Sequence, residues 1–292
     1  MEKKIVPVTV VIVNYKTLVL TRQAIVALYN SSVEPKEVIL VDNDSQDGSV
    51  DILAREFPQI KIVANKENLG FAKANNQAIR QFSTQPYIWL LNSDTETGKK
   101  SLEELVGFMS LHPKIAALGP QLVYPNREWQ SVGGFFPTAQ NVFMYLVPFT
   151  VFLPKKILYT FKSIAFYPQP IQKDGVELDY VTGAACLLRK EALDQVGLLS
   201  EDYFMYFEET DLCWRLKKAG WQIKAIDTDP VMHVYGGSFK TKYDERRLGL
   251  FLSSLTFFVN RYYTGLTKTG ILVEIFILAK VSLFFKKLKS FI

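Results

Sequence analysis

The sequence is poor in the residues that build disulfide and redox sites. Its 292 residues include only two cysteines, Cys186 and Cys213, which form neither a metal-ligand spacing nor a disulfide framework. The Gly-x-x-x-x-Gly-Lys-Ser/Thr phosphate loop, the Gly-x-Gly-x-x-Gly dinucleotide turn and the Gly-x-Ser-x-Gly nucleophile elbow are all missing. The pattern favours a cytosolic chain with reduced thiols, in which any nucleotide is held by other residues.

The chain also lacks a strong overall charge. Lys and Arg total 34 against 29 Asp and Glu, and a net charge of +5 is too diffuse to indicate nucleic acid as a partner. The segment from Lys240 onward holds ten basic and three acidic residues, which gives it a charge of +7 and the preceding residues −2. The positive charge therefore belongs to the C-terminal segment.

No apolar run predicts a membrane-spanning helix. Such a helix needs about 20 apolar residues, whereas the run at 270–285 contains Glu274 and Lys280. Its Phe and Leu residues are followed by three lysines at 286–289, a pattern typical of a helix that lies on an anionic membrane surface. Packing on its own domain, or on a second subunit in a homodimer, is the alternative.

Strand-like and helix-like patterns alternate through the first half of the chain. Nearly continuous Val, Ile and Leu runs are typical of parallel strands covered on both faces. Strands are predicted at 8–13, 37–41, 60–64 and 87–91, and helices at 20–30, 49–57 and 72–82. This βαβαβαβ order predicts an α/β, Rossmann-like half.

The second half is less regular. The patterns predict helices at 101–111 and 211–219 and strands at 115–119 and 179–188. The aromatic segment 141–168 is compatible with buried core, an acceptor groove or a membrane-facing surface. We expect one domain at 1–239, with a nucleotide-binding half at 1–119 and an acceptor and catalytic half at 120–239, followed by the extension 240–292.

Polar residues follow each predicted strand of the first half. Ligands of such sheets bind beyond the carboxyl ends of the strands, so these residues are candidates for a site. In the segment 42–48 the register does not fit a calcium loop, and a turn with Asx hydrogen bonds explains it, although Asp42 stays a ligand candidate. Asn92-Ser93-Asp94 supplies hard oxygen ligands suited to Mg²⁺ or Mn²⁺ shared with phosphates, or is an ordinary polar turn.

Three carboxylates open the predicted helix in the second half. Aromatic and acidic neighbours raise the pKa of a carboxyl group, which suits a general base. For Asp211 we favour helix capping and an ion pair with Arg215, while Glu208 and Glu209 stay open between capping and catalysis. His233, beside two glycines, is a candidate metal ligand or phosphate donor, or a structural histidine.

Six stretches in order resemble the family-2 inverting glycosyltransferases of the GT-A fold, particularly their rhamnosyltransferase-like branch. The stretches are VVIVNY at 10–15, VDNDSQDGS at 41–49, NLGFAKANN at 68–76, LLNSD at 90–94, VTGAA at 181–185 and FEETDL at 207–212. The resemblance spans residues 8–239. It implies a mostly parallel central sheet flanked by helices, with a C-terminal helical extension.

The resemblance also implies roles for individual residues. Tyr15 would stack on the nucleotide base and Asp42 would bond its imide. The implied donor-binding set is Asn14, Tyr15, Asp42, Asp44, Gly70, Asn76, Asn92 and Ser93. The implied sugar or acceptor pocket is formed by Gly183, Ala184 and Glu208.

The implied chemistry rests on a carboxylate base and a divalent metal. Glu209 stands where many relatives carry the catalytic Asp. Asp94 and His233 would ligate Mg²⁺ or Mn²⁺, and Asn92 stands where many relatives carry the first acid of Asp-x-Asp.

The implied reaction moves a sugar from a dTDP- or UDP-linked donor, dTDP-rhamnose by resemblance, to a hydroxyl of a saccharide acceptor. A basic tail suggests a polyprenyl-linked acceptor, cell-surface polysaccharide synthesis and a peripheral position on the cytoplasmic face of the membrane. A transferase for another nucleotide sugar, or a non-catalytic binding or scaffolding protein, is the alternative.

Overall fold

A computed structural model describes residues 3–139, 142, 171–172, 174–234 and 245–289, with the backbone alone at 245, 246, 278 and 281–289. The aromatic segment 141–168, apart from Val142, lies outside the described residues, as do the glycines that follow His233. The lysines at 286, 287 and 289 are described by their backbone only.

The first half has the predicted alternation of strands and helices. The elements are β1 (Lys4–Asn14), α1 (Leu18–Tyr29), β2 (Val33–Asp42), α2 (Ser49–Glu56), β3 (Lys61–Ala64), α3 (Phe71–Phe82) and β4 (Tyr87–Asn92). The four strands are parallel and lie in the order β4-β1-β2-β3. Their carboxyl ends therefore meet at one edge of the sheet, as the Rossmann-like prediction requires.

The second half extends this sheet and adds small ones. Its first elements are β5 (Thr95–Glu96), α4 (Ser101–Leu111), β6 (Ile115–Gly119), β7 (Leu122–Val123), β8 (Trp129–Gln130) and β9 (Gly133–Gly134). The chain continues with β10 (Val176–Glu177), β11 (Tyr180–Val181), β12 (Ala185–Arg189), α5 (Lys190–Val196), α6 (Glu208–Lys218), β13 (Gln222–Ala225) and β14 (Val231–His233). The main sheet has eight described strands in the order β10-β13-β6-β12-β4-β1-β2-β3.

Two predicted elements differ from the structure. The expected strand at 179–188 is divided into β11, which pairs with β9, and β12, which pairs antiparallel with β4 and β6. The chain turns at 182–184 between them, where a Cβ on Gly183 would lie 3.2 Å from the Phe71 ring, a close approach that glycine permits. Helix α6 begins at Glu208, three residues before the predicted start, so the acids at its first turn are helical residues.

The core follows from the apolar content of the strands. The β1 residues Val8, Val10, Val11 and Ile12 are fully buried, as are Ile39, Leu40 and Val41 of β2. Helices cover both faces of such a sheet, so nearly every position of its strands is apolar. This packing fixes the position of the carboxyl ends of the strands, which are followed by the polar residues.

Two C-terminal helices complete the described structure. They are α7 (Glu245–Tyr262) and α8 (Gly265–Lys289). Their inner faces form a second apolar cluster with the loop before α6, in which Phe258 and Ile271 are fully buried against Tyr203 and Phe207. Neither α8 nor any other helix in the described part of the chain combines the length and apolar character that a membrane span requires. The alternative of a helix packed on its own domain thus holds for α7 and for one face of α8.

Candidate functional site

A cavity of about 200 Å³ opens at the carboxyl edge of the parallel strands. It is bordered by residues that follow β1, β2 and β4, by the turn before β12, by the first turn of α6 and by α7. The lining residues are Val13, Tyr15, Asn43, Asn68, Gly70, Phe71, Asn92, Ser93, Asp94, Thr182, Gly183, Ala184, Met205, Tyr206, Glu208, Glu209, His233 and Arg247. Each of the six motif stretches therefore contributes at least one residue to this cavity.

One wall of the cavity is organised around Asn43. Its side-chain amide donates to Asn68 Oδ1 at 2.8 Å, and its Oδ1 accepts the backbone N–H of Leu69 at 3.1 Å. These bonds fix the loop that leads to Gly70, which has φ +81°. A Cβ at Gly70 would lie 2.6 Å from the carbonyl oxygen of Phe204, so only glycine lets the loop approach so closely.

Four residues of the expected donor set lie away from the cavity lining. Asn14 is fully buried, and its side chain bonds Asp42 Oδ2 at 2.6 Å. The other Asp42 oxygen accepts the Ser45 N–H at 3.0 Å, so Asn14 and Asp42 tie β1 to the loop after β2. Asp44 accepts a hydrogen bond from Gln46 within the predicted turn.

Asn76 also departs from its expected place. It is fully buried on α3, where its amide donates to Leu199 O at 2.8 Å and to Glu201 Oε1 at 2.9 Å. The structure therefore places Asn76 at a contact between a helix and a loop rather than in the cavity. The sequence around Asn76 does not indicate which distant residues its side chain will hydrogen-bond.

The Asn92-Ser93-Asp94 turn and the turn at 182–184 meet at one wall of the cavity. The Asn92 N–H donates to Ala184 O at 2.9 Å, which continues the pairing of β4 with β12 beyond the strands. Ser93 Oγ lies 2.9 Å from Thr17 Oγ1 and is thereby connected to the buried Asn14 network. The two turns bring Asn92, Ser93 and Ala184 together at this wall.

Asp94 and His233 form a pair beside this wall. The antiparallel pairing of β5 with β14 brings them together, and Asp94 Oδ1 lies 3.2 Å from His233 Nε2. His233 Nδ1 donates to Gln130 Oε1 at 2.9 Å, which orients the ring so that Nε2 faces the carboxylate. No group of three or more His, Cys, Asp or Glu residues suited to a metal occurs among the described residues.

Glu208 and Glu209 reach the cavity from a strained helix start. The two residues before Glu208 have φ values of +67° and +68°, an uncommon backbone for aromatic side chains. Glu208 is only 5% exposed, and its Oε2 has no hydrogen-bond partner among the described residues. Burial, followed by the charge of Glu209, raises the pKa of Glu208 well above its usual value. Burial raises the pKa of Glu209 to about 7.

Asp211 forms the ion pair that the sequence favours, but the expected capping is wrong: the helix begins at Glu208 after Phe207, with no side-chain cap hydrogen bond. It is fully buried, and Arg215 Nε donates to its Oδ1 at 2.8 Å in the predicted i, i+4 pair. Its Oδ2 accepts the Tyr262 hydroxyl at 2.7 Å and the Tyr203 hydroxyl at 3.3 Å. These bonds connect α6 to α7 and to the preceding loop.

Sequence reasoning assigned no role to several residues of the cavity, among them Asn43 and Arg247. The sequence indicates Asn43 only as part of a polar turn, and Arg247 only as one charge of a basic tail. The hydrogen bond between Asn43 and Asn68 and the position of Arg247 in the cavity both depend on contacts between segments that are distant in sequence. The six motifs contain Asn43 but no signal for Arg247.

Comparison with known proteins identifies the family. A family model described as glycosyl transferase family 2 matches residues 9–197, which is well over half of the chain. The chain belongs to glycosyl transferase family 2. The resemblance seen in the six motifs is thereby confirmed.

The chain is similar to an N-acetylglucosaminyl-diphospho-decaprenol L-rhamnosyltransferase of Mycobacterium tuberculosis, with 29% identity over 217 residues. That alignment covers 68% of this chain and 66% of the relative, just under two thirds of its length. This likeness agrees with a rhamnosyltransferase-like member of family 2.

Solved structures show the same fold at lower identity. The mannosyltransferase PcManGT from Pyrobaculum calidifontis, solved with GDP-Man and Mn²⁺, has a TM-score of 0.57 and 16% identity over 94% of this chain and 74% of its own. GalNAc-T7, solved with UDP, GalNAc and Mn²⁺, has a TM-score of 0.57 and 13% identity over 87% of this chain and 47% of its own. The fold of this family-2 chain is GT-A, as expected.

Proposed function

We propose that this protein is an inverting glycosyltransferase that moves rhamnose from dTDP-rhamnose to a hydroxyl of a lipid-linked saccharide. The observation that carries the proposal is the meeting of four groups in one cavity: Tyr15, the Asp94 and His233 pair, the Gly183 turn and the Glu208–Glu209 carboxylates. The residues proposed for the nucleotide, the metal and the base thus border a single space. That arrangement suits a donor bound next to an acceptor hydroxyl.

Glu209 is the proposed general base. It takes the proton from the acceptor hydroxyl while that oxygen forms a bond to the anomeric carbon of the donor sugar. The bond from the anomeric carbon to the diphosphate breaks in the same step, and the electron pair leaves with the nucleoside diphosphate. One displacement inverts the anomeric centre. A pKa of about 7 suits this task, because it gives both an ionised fraction and a basic carboxylate near neutral pH.

Glu208 is proposed to shape the sugar or acceptor pocket. Its buried Oε2, without a hydrogen-bond partner among the described residues, belongs to a side chain that lines the cavity. The raised pKa of Glu208 favours the protonated carboxyl group, whose O–H would donate to a sugar hydroxyl.

Asp94 and His233 are the proposed ligands of Mg²⁺ or Mn²⁺. A carboxylate oxygen and an imidazole nitrogen 3.2 Å apart suit a divalent cation that completes its coordination with substrate phosphates. The hydrogen bond from His233 Nδ1 to Gln130 is the kind of outer contact that orients a ligating histidine. Such a cation, when bound, supplies positive charge that stabilises the departing diphosphate.

One relative supports the choice of rhamnose and of a lipid-linked acceptor. The similar protein of Mycobacterium tuberculosis is described as a rhamnosyltransferase acting on a diphospho-decaprenol sugar. We extend both features to this chain, with Tyr15 stacking on the base. The Asp42 contact with the imide remains part of this proposal, although its carboxylate is engaged by Asn14 and Ser45.

We further propose that α8 rests on the membrane surface at the cytoplasmic face. Leu266 is 91% exposed and Phe276 62% exposed, and Val273 and Ile277 are exposed on the same side of the helix. Ile271 and Ile275 face the opposite way and pack on α7 and the body. An outward apolar stripe followed by lysines is typical of a helix at a lipid interface.

A panel of nucleotide sugars tests the function. The protein is incubated with Mg²⁺ or Mn²⁺ and each sugar, and thermal stabilisation and slow donor hydrolysis are recorded. We expect dTDP-rhamnose to give the largest rise in melting temperature and to be hydrolysed. Stabilisation by a different nucleotide sugar would identify that sugar as the donor instead of dTDP-rhamnose. Stabilisation by none of them would contradict the proposed function.

A further inference from the structure

Helix α7 contributes a cation to the cavity. Arg247 lies in its first turn, is half-buried and lines the cavity together with Asp94, His233, Glu208 and Glu209. β14 ends at His233 and α7 begins at Glu245, so both ends of the connecting segment lie at this site. Strand β14 and helix α7 therefore bring an imidazole and a guanidinium to the same space.

The charges of the cavity explain what such a cation would do. Among its described lining residues, Arg247 is the one side chain with a permanent positive charge, against the acidic Asp94, Glu208 and Glu209. A diphosphate brings further negative charge into this space. Placing it beside these carboxyl groups favours a cation as its partner, and a planar guanidinium can donate two parallel hydrogen bonds to phosphate oxygens.

We propose that Arg247 binds the diphosphate oxygens of a substrate in this cavity. The inference rests on the proposed function and adds a residue of the C-terminal helices to the site. The diphosphate could belong to either of two substrates: the nucleotide donor or a lipid-linked acceptor. Arg247 shares this cavity with Asp94 and His233, the proposed metal ligands, and this favours the donor.

Binding measurements with simple probes test this inference. Arg247→Gln and Arg247→Lys are titrated with dTDP, with thymidine and with an acceptor bearing a lipid diphosphate, each with Mg²⁺. We expect Arg247→Gln to weaken dTDP binding about ten- to a hundredfold and to leave thymidine binding unchanged. Arg247→Lys keeps the positive charge but lacks the two parallel N–H donors of the guanidinium, so its dTDP affinity should lie between those of Arg247→Gln and the wild-type protein.

A matched control removes one positive charge elsewhere. Arg55 is exposed on α2, and its Nε donates only to the backbone oxygen of Asp51 among the contacts described. Arg55→Gln should bind dTDP as the wild-type protein does. Melting temperatures of all variants show whether the fold is kept.

The outcomes separate the possibilities. Unchanged dTDP affinity with tenfold weaker binding of the lipid diphosphate would assign Arg247 to the acceptor and would still support diphosphate binding by Arg247. Unchanged affinity for both, or equal losses for dTDP and thymidine, would overturn it. If wild-type protein binds no nucleotide at all, the proposed function itself fails, and this inference fails with it.

Discussion

Glu209 is the residue on which the proposed chemistry depends most. Its carboxyl group sits at a buried helix start beside Glu208, and burial raises its pKa to about 7. A base must be ionised to accept a proton. The ionised fraction of Glu209 therefore grows as the pH rises through 7.

The first prediction concerns pH. We expect kcat/KM to rise with pH between about 6 and 8 and then to level off, because the base acts only when ionised. Initial rates at fixed metal concentration, with circular dichroism to confirm the fold at each pH, measure this. A value of kcat/KM that stays constant or falls across this range would show that ionisation of Glu209 does not control the rate.

Gly70 gives a second prediction at this scale. Its φ of +81° and the 2.6 Å approach of a Cβ to Phe204 O leave no room for a side chain. We expect Gly70→Ala to lower the free energy of unfolding by about 1–3 kcal/mol and to weaken donor binding. Urea unfolding and dTDP titration measure the two effects.

Gly107 supplies the matched control. It lies inside α4, and a Cβ at this position would meet nothing within 4 Å. Gly107→Ala should therefore raise the free energy of unfolding by roughly 0.5–1 kcal/mol. Equal effects of the two substitutions would show that the Gly70 loop has no special geometry.

Among the elements, α6 and α7 determine how the carboxylates are held. Asp211 of α6 accepts hydrogen bonds from Tyr203 and from Tyr262 of α7, and Ser254 of α7 donates to Met205 O at 2.8 Å. The loop that carries the strained Tyr206 and Phe207 is thereby fixed from both sides. Helix α7 thus stabilises the start of the helix that bears Glu209.

The third prediction tests this contact. Tyr262→Phe removes one donor from the fully buried Asp211, and we expect a loss of about 1–3 kcal/mol of unfolding free energy together with a lower kcat. Tyr263→Phe removes a comparable bond, from its hydroxyl to Pro137 O at 2.6 Å, without touching Asp211. Stability of both variants should fall, and only Tyr262→Phe should shift the pH profile of kcat. Identical profiles would mean that α7 does not position Glu209.

The elements also show what the sequence can reveal. The strands of the parallel sheet and the helices between them follow from local apolar patterns, so their existence could be predicted. The division of 179–188 into two strands could not, because β11 pairs with β9 in one sheet and β12 pairs with β4 and β6 in another, and all three partners are distant in sequence. The burial of Asn14 and Asp42 in a mutual hydrogen bond also depends on neighbouring strands meeting in three dimensions.

For the molecule as a whole, the C-terminal segment has two sides. Its inner face packs on the loop before α6 and supplies Arg247 to the cavity, while its outer face exposes Leu266 and Phe276. Apolar residues and lysines in the sequence predict the outer side. They do not predict the packing of the inner face, because the apolar period of a helix does not identify the segment that it packs against. The boundary at residue 239 remains a prediction.

The fourth prediction concerns membrane attachment. We expect the double variant Leu266→Ser, Phe276→Ser to sediment less with vesicles containing anionic lipid, because both side chains lie on the exposed stripe. Its melting temperature and dTDP affinity should stay close to those of the wild-type protein. Unchanged sedimentation would show that this stripe does not contact lipid.

The most direct test of the central claim is the Glu209→Gln variant assayed with dTDP-rhamnose, a divalent cation and a lipid-linked saccharide. The amide keeps the size of the side chain but cannot accept the proton. We predict dTDP binding within about twofold of wild type, transfer reduced by at least about a hundredfold, and inverted anomeric configuration in the wild-type product. Transfer by Glu209→Gln at the wild-type rate, or retained configuration in the product, would contradict it.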